Sequence, residues 1–477
     1  MDRHAQARRP LRAFALILCP LSAGCAPHVE WASTPELRSQ RWQQQEVAAP
    51  APGPALPAPR AGLSESLRSP ELSALIARAL AANADIAIAA TRIERARAEL
   101  GIAKADMLPV VSASAGLNST RTDDKAASTF SFSEGFAGVD ISYDVDLFGA
   151  ARAGKRAARE RLRASVYDRN AAALVVEAEV ARAYVQHSAL TDRIALLDRN
   201  IANGRELERI INVRLREGAA TRVETGLQAI DVRQLEADRL RLVGALARTR
   251  NALAVLVGEE APLFRLPPSS LDSVATPDVA PVQPAELLVR RPDIQAAEAR
   301  IAAASGDIQQ ARRAFLPSLR LSASALGQAA TLSGPIGATL SIGAGLLAPI
   351  FDRGRLNGRL YSATAAQHES VELYRKALLN ALAEGEDALA SVEESRSRQA
   401  LIDRIVEEAR VTARLARLQY LEGEADLRDV LDADRLLVQA EDARALSVQE
   451  RINAAIDLYE AIGGSAQTSA MARRAAP

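Results

Sequence analysis

Little in this chain can cross-link it: its 477 residues include only two cysteines, Cys19 and Cys25. Aromatic residues make up only 4% of the sequence, too few for a thick globular core, so Ala-rich helices packed closely side by side fit better. No sign of charge dominates, since Lys plus Arg and Asp plus Glu each total 59. A basic face for nucleic acid is therefore not implied. Of the four histidines, His4 and His28 lie near the N-terminus. His187 and His368 stand alone in helical sequence, without the paired spacing of a zinc helix, and read as surface or helix-packing residues. Gly343 and Gly345 lie in a strand pattern with no Gly-Lys-Ser/Thr after them, which excludes a phosphate loop. No enzyme signature, metal set or cofactor motif remains.

The N-terminus points to export. Arg8, Arg9 and Arg12 lead into an apolar run from Phe14 to Leu21 that ends at Ser22-Ala23-Gly24-Cys25. That run is about half of the ~20 residues a membrane-spanning helix needs, so residues 1–24 read as a cleaved signal peptide. Cleavage there removes Cys19 and leaves Cys25 alone, with no internal disulfide available. The small residues before Cys25 resemble a bacterial lipobox, with Ser22 where that pattern usually has Leu, and the resemblance implies lipidation of Cys25. Residues 25–63 follow as a tether, since the Pro-rich stretch from Pro50 to Pro59 holds neither helix nor sheet.

The rest of the chain is one unit written twice. Asn83-Ala84-Asp85-Ile86 opens a segment ending in Leu108-Pro109, and Arg291-Pro292-Asp293-Ile294 opens one ending in Leu316-Pro317, without a gap between the two. Asp146-Leu147-Phe148-Gly149 answers Pro349-Ile350-Phe351-Asp352, Glu217-Gly218 answers Glu422-Gly423, and Leu256-Val257-Gly258 answers Ala461-Ile462-Gly463. The first copy covers 64–258 and the second 285–464, with a Pro-rich linker at 259–284 and a tail at 465–477.

Each copy predicts a pair of strands, at about 109–119 and 136–148, then at about 317–328 and 335–350. Val139, Ile141, Tyr143, Val145 and Leu147 alternate with polar residues, as do Ile336, Ala338, Leu340, Ile342, Ala344 and Leu346 with Gly, Thr and Ser. Period two gives one apolar and one polar face. Runs of this length suit tilted membrane strands, in which the polar face lines water. A soluble two-faced sheet shares the pattern. Four strands are too few to close a membrane barrel, for which the smallest single chains use about eight, so several chains must contribute.

Long Ala-, Leu-, Glu- and Arg-rich stretches follow each strand pair. Leu190, Ile194, Leu197 and Ile201 step by four, three and four, the spacing of a helix packed along neighbours. A helix from Ala151 to Glu217 would run about 100 Å. Gly218 and Gly423 mark turns that reverse each stretch into an antiparallel pair ending in a tip.

Together these residues resemble the outer-membrane efflux protein family, the TolC-like ducts, and in particular the lipidated, NodT-type subgroup of multidrug exporters. The most specific piece is Arg290-Arg291-Pro292-Asp293-Ile294-Gln295-Ala296-Ala297-Glu298 with Ala311 to Pro317. The resemblance implies a mainly α fold with a membrane β-barrel: a homotrimer whose chains each give four strands to a twelve-stranded barrel, continued by a twelve-helix periplasmic α-barrel. It implies an outer-membrane location, which Ala26 after the lipidated cysteine suits. It also implies docking of the tips at Gly218 and Gly423 onto a periplasmic adaptor and an inner-membrane pump. Family positions at the periplasmic gate match Tyr420, Asp429, Asp432 and Arg435, with Glu224 as the repeat counterpart of Asp429. Ala425 departs from members that carry a gating arginine there, and Gly226 loosens the helix after the first tip. The function implied is a passive, gated exit duct for small molecules such as drugs, with no catalysis and no cofactor. A non-conducting periplasmic coiled-coil lipoprotein is the alternative, and the two-faced strands tell against it because a scaffold has no use for them.

Overall fold

Two prolines set where the strands begin. Pro109 and Pro317 cannot donate to a ladder and disfavour helix in the residue before them, so each helix ends and a strand starts directly afterwards. The computed structural model describes residues 31–35, 42–43, 63–122, 130–277, 283–329 and 335–464. The expected signal peptide, Cys25, the Pro-rich part of the expected tether and the tail lie outside the described residues.

In chain order come α1 (Leu63–Ser66), α2 (Pro70–Ala82), α3 (Ala84–Ala105), β1 (Val110–Thr122), β2 (Phe130–Val145), α4 (Ala150–Arg216) and α5 (Arg222–Leu256). The second series is α6 (Pro284–Arg290), α7 (Pro292–Arg313), β3 (Ser318–Ala329), β4 (Ile336–Leu347), α8 (Arg353–Glu422) and α9 (Leu427–Ala461). The four strands form one antiparallel sheet in the order β1-β2-β3-β4. Strand β2 starts at Phe130, earlier than its alternation suggested, because its ladder with β1 continues out to Thr122↔Phe130. It stops at Val145 rather than 148: the Asp146 carboxylate accepts the backbone N–H of Ala151 and of Arg152, at 3.2 and 3.0 Å, and turns the chain into α4. Likewise β1 runs three residues past its expected end and β4 ends at Leu347, ahead of Pro349.

Register aligns an apolar row across all four strands, although Phe136 and Leu326 fall on the other face. Val111 faces Ile141, Ile141 faces Ala323, and Ala323 faces Ile342. The neighbouring row, Ser112, Asp140, Ser324 and Ser341, forms the opposite, polar face. On that face Arg320 donates through Nε and Nη2 to the two Asp144 oxygens, at 2.7 and 2.8 Å, directly across the β2–β3 pair. Gly343 and Gly345 lie within β4, in the strand and not in a ligand loop.

The long stretches are two helical hairpins, α4/α5 and α8/α9, with helices of 67, 35, 70 and 35 residues. Along α8 the buried positions Val371, Leu378, Gly385, Tyr420, Ala413, Val406 and Ile402 fall on a seven-residue grid with its offset row, the seam of left-handed coiled-coil packing. The 190–201 seam expected on α4 is also present. Leu190 and Leu197 pack with Leu242 of α5, joined by Ile194, Leu235, Leu246 and Val438. Corresponding ion pairs tie the two hairpins: Arg239 to Asp198 in the first and Arg444 to Asp403 in the second, each partner 205 positions after its counterpart.

The same joint closes both copies. Asn83 donates to the carbonyl of Leu256 at 2.9 Å, and Arg291 to that of Ala461 at 3.1 Å. Arg291 is mostly buried and also holds Asp293 and Glu384, at 2.8 and 2.6 Å. The Arg-Arg-Pro-Asp motif is thus a clasp that joins the start of α7 to α8 and to the end of α9. The linker after α5 is ordered in part, with Phe264, Leu271 and Val274 buried in a core with α1, α2 and α4. It also covers His187, a buried helix-packing residue whose Nδ1 meets Ser269 Oγ at 3.2 Å.

Two compact units result. One comprises 1–34, 96–162 and 299–372 and contains the sheet; its apolar core includes Ile308 and Leu360. The other comprises 35–95, 163–298 and 373–477 and contains both hairpin turns.

Candidate channel gate

Both hairpin turns are built by one local device. Gly218 and Gly423 take φ of +73° and +82°, where a side chain is strained. The next residue closes the helix behind it: Ala219 N–H reaches Arg214 O and Glu424 N–H reaches Gln419 O, both at 2.8 Å. Each glycine in turn bonds three residues back, to Leu215 and Tyr420. These are Schellman caps, and they place the predicted tips where the sequence did.

The returning helices start with reciprocal caps. Thr221 Oγ1 accepts the N–H of Glu224 at 3.3 Å, while the Glu224 carboxylate accepts the N–H of Thr221 at 2.6 Å. At the second tip Asp429 accepts the N–H of Asp426 at 3.1 Å in the equivalent box. Two of the five residues expected at a gate therefore have a local task of starting α5 and α9. That signal was readable in the sequence as Thr-x-x-Glu and Asp-x-x-Asp. Asp432, by contrast, is 74% exposed and lies 3.6 Å from Arg435. Gly226 does not interrupt α5, which runs unbroken from Arg222.

Tyr420 is buried in a small core with Ile211, Leu427, Val430 and Leu431, to which Leu207, Ala220, Leu227 and Ala416 add. This core draws on all four helices of the two hairpins. The Arg214 guanidinium lies 4.8 Å from the centre of the Tyr420 ring, a cation–π contact from the first hairpin to the second. The Tyr420 hydroxyl is buried and forms no hydrogen bond among the described residues. Burial raises its pKa above the ordinary phenol value, with Glu224 and Asp426 adding to the shift and Arg214 opposing it.

Arg435 reaches the first hairpin too. Its Nε donates to Asp231 Oδ1 of α5 at 3.0 Å. On the preceding residue, Asp434 accepts from Arg417 of α8 at 2.9 Å. Burial lifts the Asp434 carboxyl above its usual range; Arg417 opposes this and the nearby Asp231 reinforces it. Sequence reasoning singled out Arg435 but neither Asp231 nor Asp434. Asp231 lies on a different hairpin, with no counterpart in the second copy, and nothing in its local pattern marks it.

The sequence profile of the outer membrane efflux protein family matches residues 75–259 and 284–464. The chain is 34% identical over 417 residues to the pyoverdine export outer membrane protein OpmQ of Pseudomonas aeruginosa, covering 84% of this chain and 86% of that protein. To OpmQ of Pseudomonas putida it is 33% identical over 471 residues, with 95% of each chain covered. Its fold superposes on the outer-membrane channel OprN with a TM-score of 0.82 at 25% identity, covering 92% of this chain and 99% of that one. Two tandem copies, a four-stranded two-faced sheet and two long capped hairpins are what this similarity spans. The chain belongs to the outer membrane efflux protein family and has the fold of its outer-membrane channels.

Proposed function

We propose that the chain is the exit duct of a tripartite efflux pump, a homotrimer that passes small molecules out of the periplasm and is gated at its periplasmic tips. The observation that carries this reading is the sheet. An apolar row crosses all four strands, and Ile336, Leu340, Ile342 and Leu346 of β4 stand exposed on its face. Both edge strands, β1 and β4, lack a partner within the described chain. An open edge is untenable in lipid, and pairing β4 of one copy with β1 of the next removes it. Three copies then give a twelve-stranded barrel. Lipidation at Cys25 adds an anchor in the outer membrane.

The duct performs no reaction and needs no cofactor. Energy comes from an inner-membrane pump, joined through a periplasmic adaptor that meets the tips around Gly218 and Gly423. Because two relatives are named for pyoverdine export, the proposed cargo is a small secreted compound rather than a protein. In the trimer, three copies of Asp432, with Asp429 beside it, would surround the closed mouth and favour cations there.

Conductance in a planar bilayer tests the proposal. The purified chain should give small, cation-favouring steps that enlarge in Asp432→Ser. Asp429→Glu, which keeps a capping-box carboxylate, is the control for helix starting. Silence from a folded, membrane-inserted trimer would favour the non-conducting scaffold instead.

A further inference from the structure

Phe136 of β2 and Leu326 of β3 interrupt the polar face of the sheet. Each lies directly across a strand pair from a glycine, Phe136 from Gly116 of β1 and Leu326 from Gly138 of β2. Both side chains lean into the hollow that the glycine leaves. A methyl group built at Gly116 would meet the far end of the Phe136 ring, Cζ at 2.6 Å and Cε1 at 2.7 Å, and one at Gly138 would meet Leu326 Cδ1 at 2.8 Å. Glycine inside a strand weakens it and often marks such a close approach. On the same face Arg320 is drawn down onto Asp144, and the rows nearby carry Ser112, Ser324 and Ser341. Phe136, Leu326 and Arg320 therefore lie along the sheet instead of standing out from it. Phe136 is nearer the Phe130 end of β2 than the Val145 end, which leads to the helices.

We propose that Gly116 sets the width of the bore in the outer half of the barrel: its hollow holds the Phe136 ring against the wall and keeps the duct open to bulky small molecules. This rests on the duct reading given above, in which the polar face lines water. Three copies place three such rings at one level, so a change at Gly116 acts from three sides at once. Any side chain there fills the hollow. Gln328 and Leu326 of β3 occupy the wall on the ring's other side, so a displaced ring swings into the bore. The size limit set in this way is separate from the gate at the tips. Gly138 offers no equally clean test, because a methyl group there also meets the backbone oxygen of Ala325 at 2.9 Å, which cannot swing aside.

The test reads the barrel without passing the tips. Ser324, on the same face, lies closer to the helices than Phe136, so a reagent added outside intact cells must pass the ring to reach it. Ser324→Cys is made in the full-length chain and labelled with a small charged maleimide or with a maleimide carrying a polyethylene glycol chain; the chain without that change gives the background from its own cysteines. Both reagents should label Ser324→Cys. Adding Gly116→Val should slow the long reagent several-fold and leave the small one nearly unchanged, and adding Phe136→Ala as well should restore the long reagent. Equal heat-resistance of the trimers on gels shows that folding is unaltered, and Gly116→Ala, with a smaller slowing, serves if the valine variant does not assemble. Unchanged labelling in Gly116→Val, or slowing that Phe136→Ala does not relieve, would overturn the proposal. Exclusion of the long reagent before any change at Gly116 would overturn it too. If a folded, membrane-inserted Ser324→Cys takes up neither reagent, the polar face does not line water and it is the duct reading that fails.

Discussion

At the scale of single residues, buried charge separates what must be paired from what tolerates change. Glu177 on α4 is largely buried and accepts the backbone N–H of Leu63, and burial pushes its carboxyl from the ordinary 4.5 up to about 7. The folded chain therefore prefers this group neutral. As pH rises above 4.5 the unfolded chain ionises first, and stability is lost progressively until the folded form also ionises near 7. Glu177→Gln should raise the melting temperature at pH 8, by an amount equivalent to at most about 3 kcal/mol, and leave it nearly unchanged at pH 4. A melting curve at each pH reads the difference. Arg291 shows the opposite case, since its guanidinium meets two carboxylates and a helix-end carbonyl at once. Arg291→Gln should cost roughly 1–3 kcal/mol, moderated because Glu384 and Asp293 retain access to water. Arg291→Lys should recover only part of it, because an ammonium cannot reproduce the two-pronged contact. The buried hydroxyl of Tyr420 has no hydrogen-bond partner within bonding geometry among the described residues, so Tyr420→Phe should leave both the melting temperature and the closed-state conductance within error of the native values.

Among the elements, the strands and turns answer to different physics. A strand's alternation is a property of its own residues, but which face meets lipid depends on four registers agreeing. They do agree, and Leu340 and Ile342, on the exposed apolar face of β4, are 76% and 83% exposed in the protomer. Ile342→Arg should destabilise the membrane-inserted form by about 2–4 kcal/mol if it sits near the bilayer midplane, whereas a charge at Ser341, on the other face, should be tolerated. Heat-resistance of the folded species on gels would distinguish them. The hairpin turns were legible because glycine with a positive φ and a threonine or aspartate cap are chemically local. The Arg435–Asp231 pair was not, since it joins α9 to a helix some 200 positions away in the chain, by the numbers of Asp231 and Arg435.

For the molecule as a whole, the repeat is the main fact. Capping glycines, hairpin ion pairs and helix-end joints recur at matching positions, and this identifies one ancestral unit used twice. The copies also differ at particular positions. Asn83 became Arg291 at the joint, Glu224 became Asp429 at the cap, and Asp231 and Arg435 are each without a counterpart. A single protomer with two open sheet edges cannot stand alone in lipid, so light scattering in detergent should report three copies per particle.

By itself the sequence determined the duplication, the strand pairs and the turn positions. All of these follow from patterns within some ten consecutive residues or from comparing the chain with itself at offsets of 203 to 208 residues. Tertiary structure alone decided that Tyr420 is buried beneath the Arg214 guanidinium and that Arg435 holds Asp231. The reason is physical: a side chain's partner across helices depends on how two long hairpins are rotated about their axes, and heptad spacing constrains that rotation without naming the contacts.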